Sequence, residues 1–161
     1  MSNFQTAIAA LALVAGLATL ASPASAQGTS ADATYRDIQA TLGSVPTMFK
    51  VFPESGIAGA WAEFKSLQLN PNTALNGKTK ELLGLAVAAQ IPCQHCIYFH
   101  TAAAKLNGAS DQEIREAVAM ASIVRHWSTT LQGMQMDPVT FRQETDAVLA
   151  HAAKMAKQKG K

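Results

Sequence analysis

Between about Gly77 and Gln90 the chain reads Leu82-Leu83-Gly84-Leu85-Ala86-Val87-Ala88-Ala89, apolar on nearly every side of a helix. A helix without a water-loving face belongs in a core or at a subunit interface, so the remaining segments must cover it. Their periodicity is helical too, and strand signals are nearly absent. Ser30 or Asp32 can cap a first helix running to about Leu42, stopped by Gly43-Ser44-Val45-Pro46. A second helix is expected from about Ile57 to Leu67, with Trp61 and Phe64 one turn apart on its core-facing stripe. Pro92 stands where the helix after the apolar one should begin, and Asn107-Gly108 should end it. Ser110-x-x-Glu113 is a capping box for a helix from about Asp111 to Leu131. Asp137-Pro138 opens a last helix to about Lys157, with Phe141, Val148, Ala152 and Met155 expected to face inward. The pattern predicts one all-α domain of about five to seven helices.

The first 26 residues have the form of an export signal. Met1 to Ala26 contain no charged side chain, Ala7–Leu20 form an apolar run, and Ala24-Ser25-Ala26 supplies a small-residue cleavage pattern. The run is too short for a comfortable membrane span. The expected organisation is a signal peptide at 1–26 and one helical domain at 27–161, periplasmic or secreted, with no membrane contact after cleavage. A formal charge of +2 is too weak to suggest nucleic acid, and the tail lysines Lys154, Lys157, Lys159 and Lys161 read as a solvated helix end.

The chemistry concentrates in Pro92-Cys93-Gln94-His95-Cys96-Ile97-Tyr98-Phe99-His100, which holds both cysteines of the chain. A CxxC pair can cycle between dithiol and disulfide, and an oxidising compartment favours the disulfide. Four residues beyond Cys96, His100 shares its helix face and can stabilise a thiolate there. The positive helix end, taken alone, would favour Cys93 as the more acidic thiol. Covalent c-type haem attachment needs a histidine directly after the second cysteine, and Ile97 stands there. A zinc site using Cys93, Cys96, His100 and His95 is conceivable, but such pairs usually sit on a turn and no second pair exists. A fixed structural disulfide is a further alternative, although so short a loop constrains the unfolded chain little. A thioredoxin fold is disfavoured because no βαβ pattern surrounds the motif. Glu81 lies in line with Leu85 and Ala88, which would partly bury its carboxylate; a first-turn glutamate complementing the helix dipole fits the local pattern equally well.

Glu81, Cys93 twelve residues later, His95, Cys96 and His100 together resemble the active-site signature of the AhpD-like alkylhydroperoxidases of the carboxymuconolactone decarboxylase superfamily. The similarity runs from Leu42-Gly43-Ser44-Val45-Pro46 through Glu81-Leu82-Leu83 and Ala102-Ala103-Ala104 to Gly108-Ala109-Ser110 and Glu116-Ala117. The resemblance implies an all-helical fold, assembly into trimers or multiples of trimers, and a thiol-dependent peroxidase with no cofactor or metal. It implies Cys96 as the peroxidatic thiolate and Cys93 as the resolving cysteine. It makes His100 and Glu81 a proton relay, with His95 assisting near Cys93. The implied substrate is a hydroperoxide. The reductant is an unknown thiol or dithiol, because the family's lipoylated cytoplasmic donor is out of reach of an exported enzyme. Superfamily members without the cysteine pair decarboxylate a lactone, and that acid/base chemistry is the alternative that Glu81 and His100 could support.

Outside the motif, His126 beside Val124 and Trp127 reads as a packed residue rather than a catalyst. Met120, Met134 and Met136 read as core filler. Tyr98 and Phe99 are expected to close the motif against water or to pack at an interface, and His151 to face solvent.

Overall fold

Ser30 turns the chain into its first helix by accepting a hydrogen bond from the Ala33 N–H at 3.3 Å, and a computed structural model describes the chain from there to Lys159. The signal peptide expected at 1–26 lies outside the described residues 30–159. These form seven α-helices and one π-helical turn, with no strand among them. Helix α1, Ala31–Leu42, ends at Gly43, whose φ of 78° is a left-handed conformation that glycine adopts at little cost. Its N–H returns to the Gln39 carbonyl, satisfying one of the orphaned acceptors of the last turn. The short α2, Thr47–Lys50, follows, and then α3, Glu54–Glu63.

α3 starts three residues earlier than the sequence suggests, directly after Pro53, and widens at its end into the π-helical turn Phe64–Gln68. Asn76 caps α4, Gly77–Gln90, by accepting from the Thr79 N–H at 2.9 Å. Then come α5, Gln94–Leu106, α6, Asp111–Gly133, and α7, Pro138–Lys159. Both halves of the capping box at Ser110 and Glu113 are formed at the start of α6. Asp137 accepts from the Thr140 N–H at 2.7 Å, which fixes the start of α7.

The described residues fall into two compact units, one ending at Gly59 and the other beginning at Ala60. In the first, Ile38 and Ile57 are fully buried. The second carries the chemistry. There α4 packs against both α5 and α6, and its buried residues Glu81, Leu85 and Ala88 recur at helical spacing on one face. Ala104 of α5 and Ala121 of α6 are buried as well; side chains this small let the three helices approach closely. Burying Leu85 alone is worth about 1.5–3 kcal/mol relative to leaving it in water.

Three expectations are corrected. No residue of α7 is buried: Phe141, Val148, Ala152 and Met155 are all exposed. Met120 and Met134 are exposed rather than core filler, with only Met136 partly covered. His126 is exposed too, edge-on to Trp127 at 5.3 Å between ring centres. All three have one physical reason. An apolar stripe shows that a face favours cover, but not that its own chain supplies it. The same holds on α4, where Leu83 and Val87 are more than half exposed behind the buried Leu85 face.

Candidate active site

The site lies where α4 and α5 pack. Glu81 is 5% exposed, which is rare for a carboxylate unless each oxygen finds a partner. Its Oε2 lies 2.7 Å from His100 Nδ1, and its Oε1 accepts from Gln68 Nε2 at 3.3 Å. A carboxylate has no hydrogen to give, so the His100 Nδ1–H donates, leaving Nε2 as the ring's second proton-exchanging atom.

Gly84 makes this approach possible. A Cβ built on it would stand 2.4 Å from the His100 ring, closer than any side chain tolerates. His100 is also flanked by Phe99, edge-on at 5.3 Å, and Phe99 meets Phe64 at 6.4 Å. Phe64 in turn stacks on buried Trp61 at 5.9 Å. An aromatic series thus runs from α3 to the imidazole.

The cysteines stand at the start of α5, but not as the sequence suggests. Pro92 lies in the turn between helices rather than at the first helical position, and Cys93 is the N-cap instead of a first-turn residue. The Cys93 N–H still serves α4, reaching the Ala88 carbonyl at 3.1 Å, which leaves Cys93 in an extended conformation, and the new helix begins at Gln94 rather than at Pro92. Cys93 Sγ accepts from the Cys96 N–H at 3.2 Å, as a serine or aspartate oxygen would at a cap. The two cysteines are joined in a disulfide, their Cα atoms 5.3 Å apart. No three His, Cys, Asp or Glu side chains gather as a metal site among the described residues.

Cys96 and His100 share a cavity of about 300 Å³ whose other walls are Leu83, Gly84, Val87, Ala88 and Ile91. Both reactive groups therefore face one small, apolar space. A larger cavity of about 490 Å³ lies along α6 and α7, lined among others by Phe141, Arg142 and Asp146, but it contains no thiol and no histidine. Of the five residues singled out in the sequence, the structure gathers Glu81, His100, Cys96 and Cys93 on the α4–α5 seam. His95, between the cysteines, is exposed. Tyr98 points into solvent, 79% exposed, and Phe99 is exposed as well, with one edge against His100.

Two members of the site were not read from the sequence. Gly84 carried a signal, since a glycine inside an apolar helix costs about 1 kcal/mol against alanine and such a glycine often marks a close approach. Gln68 carried none. It sits 13 residues before Glu81, in a turn whose π geometry has no pattern in the residue types.

A family model described as the carboxymuconolactone decarboxylase family matches residues 56–136, half of the chain and a span that includes Gln68, Glu81, Gly84 and the whole cysteine motif. The chain belongs to that family. A protein of Paracoccus denitrificans, known as uncharacterized protein 4 in the cox locus, is 33% identical over 86 residues, covering 51% of this chain and 78% of that protein. The crystal structure of the alkylhydroperoxidase AhpD core from Rhodospirillum rubrum is similar with a TM-score of 0.59 and 26% identity, over 66% of this chain and 81% of that one. The AhpD-like, all-α fold expected from the sequence is therefore the fold found.

Proposed function

We propose that the protein is a thiol-dependent peroxidase of the alkylhydroperoxidase type. One observation carries the reading. A disulfide-forming cysteine, Cys96, opens onto the same apolar cavity as a histidine that is anchored by a buried glutamate. In the reduced protein, His100 takes the Cys96 proton, and Glu81 steadies the resulting imidazolium. The Cys96 thiolate attacks the terminal oxygen of a hydroperoxide. The O–O bond breaks, Cys96 becomes a sulfenic acid, and His100 returns the proton to the departing alkoxide, giving an alcohol. Cys93 then attacks the Cys96 sulfur, forming the disulfide and releasing water. Each turnover thus reduces one hydroperoxide and oxidises two thiols. An external thiol or dithiol closes the cycle by reducing the disulfide. Cys93 suits the resolving role, because its sulfur already sits on a helix N-terminal N–H that stabilises negative charge.

The apolar leader supports a periplasmic or secreted location for this chemistry. Exposed apolar residues on α6 and α7, among them Ile123, Val124, Trp127, Phe141 and Val148, support association into a homo-oligomer, a trimer or a multiple of trimers as the family resemblance implies.

Stopped-flow mixing of the reduced protein with cumene hydroperoxide tests the reading. The wild type should lose its thiols in a fast phase that Cys96→Ser lacks, and equal rates for the two would overturn it. A second reading rests on the same pair: Glu81 and His100 are complete without the cysteines and could act as acid and base on a small carboxylic substrate. Turnover of such a substrate that persists after both cysteines are replaced would favour that reading.

A further inference from the structure

We infer that Gln68 is a positioning residue for the Glu81–His100 relay, presented by the π-helical turn that ends α3. The inference rests on the relay function proposed above.

A glutamate's terminal torsion is broad, so one hydrogen bond to His100 does not by itself fix the plane of the carboxylate. A second bond, to the other oxygen, does. In the structure that bond comes from the Gln68 amide, whose nitrogen must be the atom that faces the acceptor-only carboxylate. At 5% exposure Glu81 has little water to replace it.

The surroundings of Gln68 are built to hold it there. The turn Phe64–Gln68 is closed by the Leu69 N–H reaching back five residues to the Phe64 carbonyl at 3.2 Å. Single π turns of this kind are uncommon and recur at functional sites. Lys80, the residue before Glu81 on α4, donates to the carbonyls of Leu67 and Asn70, both at 2.7 Å. The backbone on either side of Gln68 is thus tied to the helix that carries its acceptor. At the other end of the turn, Phe64 leans on Phe99, which is edge-on to His100. One turn therefore bears on both halves of the relay: it hydrogen-bonds the carboxylate directly and reaches the imidazole through Phe99.

The test compares wild type with Gln68→Met, which keeps length but cannot donate, and Gln68→Glu, which donates only when protonated. Peroxide oxidation of the reduced proteins is followed from acid to alkaline pH. Thermal midpoints are measured alongside, and the His100 ring signals are followed by ¹⁵N–¹H NMR. Gln68→Met should react about tenfold more slowly or worse, the scale of losing one hydrogen bond to a charged group. Gln68→Glu should approach wild type at acid pH and fall away as pH rises, a profile that loss of packing would not produce. The His100 Nδ1–H signal should broaden or shift in Gln68→Met. Wild-type rates in Gln68→Met, or an unchanged His100 signal, would overturn the inference. So would a Gln68→Glu pH profile that parallels that of Gln68→Met. If the wild type itself ignores peroxide, the peroxidase reading fails, while the His100 signal still decides whether Gln68 sets the pair.

Discussion

In the seam between α4 and α5, Leu85 and Ala88 are 1% exposed, and the buried carboxylate of Glu81 has a partner on each oxygen. Along the 22 residues of α7 no side chain is buried, although Phe141, Val148 and Met155 form an apolar stripe as regular as any in the chain. Both regions satisfy the same helical pattern. They differ in what their own chain sets against them: α4 has α5 and α6 on its buried face, and two alanines that let these approach. The contrast separates two uses of apolar surface. The seam is finished within the chain and holds the Glu81–His100 pair in place, whereas the outer faces of α6 and α7 stay exposed, and the proposed oligomer would cover them.

The comparison breaks most sharply at the cysteine. Replacing Cys96 by serine should reduce peroxide-driven oxidation to background, and a charged residue on α7 should not. Within the seam, His100→Gln or Glu81→Gln should lower the oxidation rate by about 10²–10⁴-fold, the usual contribution of a positioned acid or base, in the same stopped-flow assay. Gly84→Ala should also slow it, because the new methyl occupies the space of the imidazole, even though alanine is the better helix former. If Gly84→Ala reacts like wild type, the close approach of His100 is not what positions the relay.

Stability sharpens the contrast next. Leu85→Ala should cost about 2–5 kcal/mol in chemical denaturation, the range for truncating a buried leucine. Trp127→Glu or Val148→Glu should instead lower the assembly mass measured by light scattering and leave helical content unchanged. Unchanged mass in both would show that neither face joins copies of the chain.

The smallest effect concerns acid. The Lys78 ammonium at 2.7 Å, followed by the Ser110 backbone N–H, holds the Glu113 carboxyl below its ordinary value of 4.5. A depressed folded pKa means that this contribution is present above pH 4.5 and is lost as pH falls through the lower, folded value. Replacing Lys78 by methionine should therefore flatten the acid side of a plot of thermal midpoint against pH. The two proteins should differ most above pH 4.5 and converge as the acid side is reached, and the difference should be small throughout, since Lys78 and Glu113 are both more than a third exposed.

Much of the seam was legible because its signals are local. Ser110-x-x-Glu113, Asn107-Gly108 and Gly43 marked helix ends through capping chemistry that depends on a few neighbours. Glu81, in line with Leu85 and Ala88, had burial as one of two readings that periodicity left open, and its place on the packed face of α4 decides it. Cys93, Cys96 and His100 were visible as one motif because they lie within a single helix and its cap. What escaped needed a contact between elements. Gln68 meets Glu81 only once a π turn and Lys80 have brought the end of α3 against α4. Cys93 became a cap because its N–H stayed with Ala88 of the preceding helix, a competition invisible in residue types. His126 and the α7 stripe were misassigned to a core for the same reason.

The most direct test of the seam as a dithiol peroxidase site is to identify the sulfur that peroxide oxidises first. Reduced Cys93→Ser and Cys96→Ser proteins are treated with one equivalent of cumene hydroperoxide, trapped with dimedone, and mapped by mass spectrometry beside the wild type. The wild type should give a single intramolecular Cys93–Cys96 disulfide, and Cys93→Ser should accumulate a trapped sulfenic acid at Cys96, with Cys96→Ser unmodified. Sulfenic acid forming at Cys93 in the Cys96→Ser protein, or wild-type thiols that survive the peroxide, would contradict it.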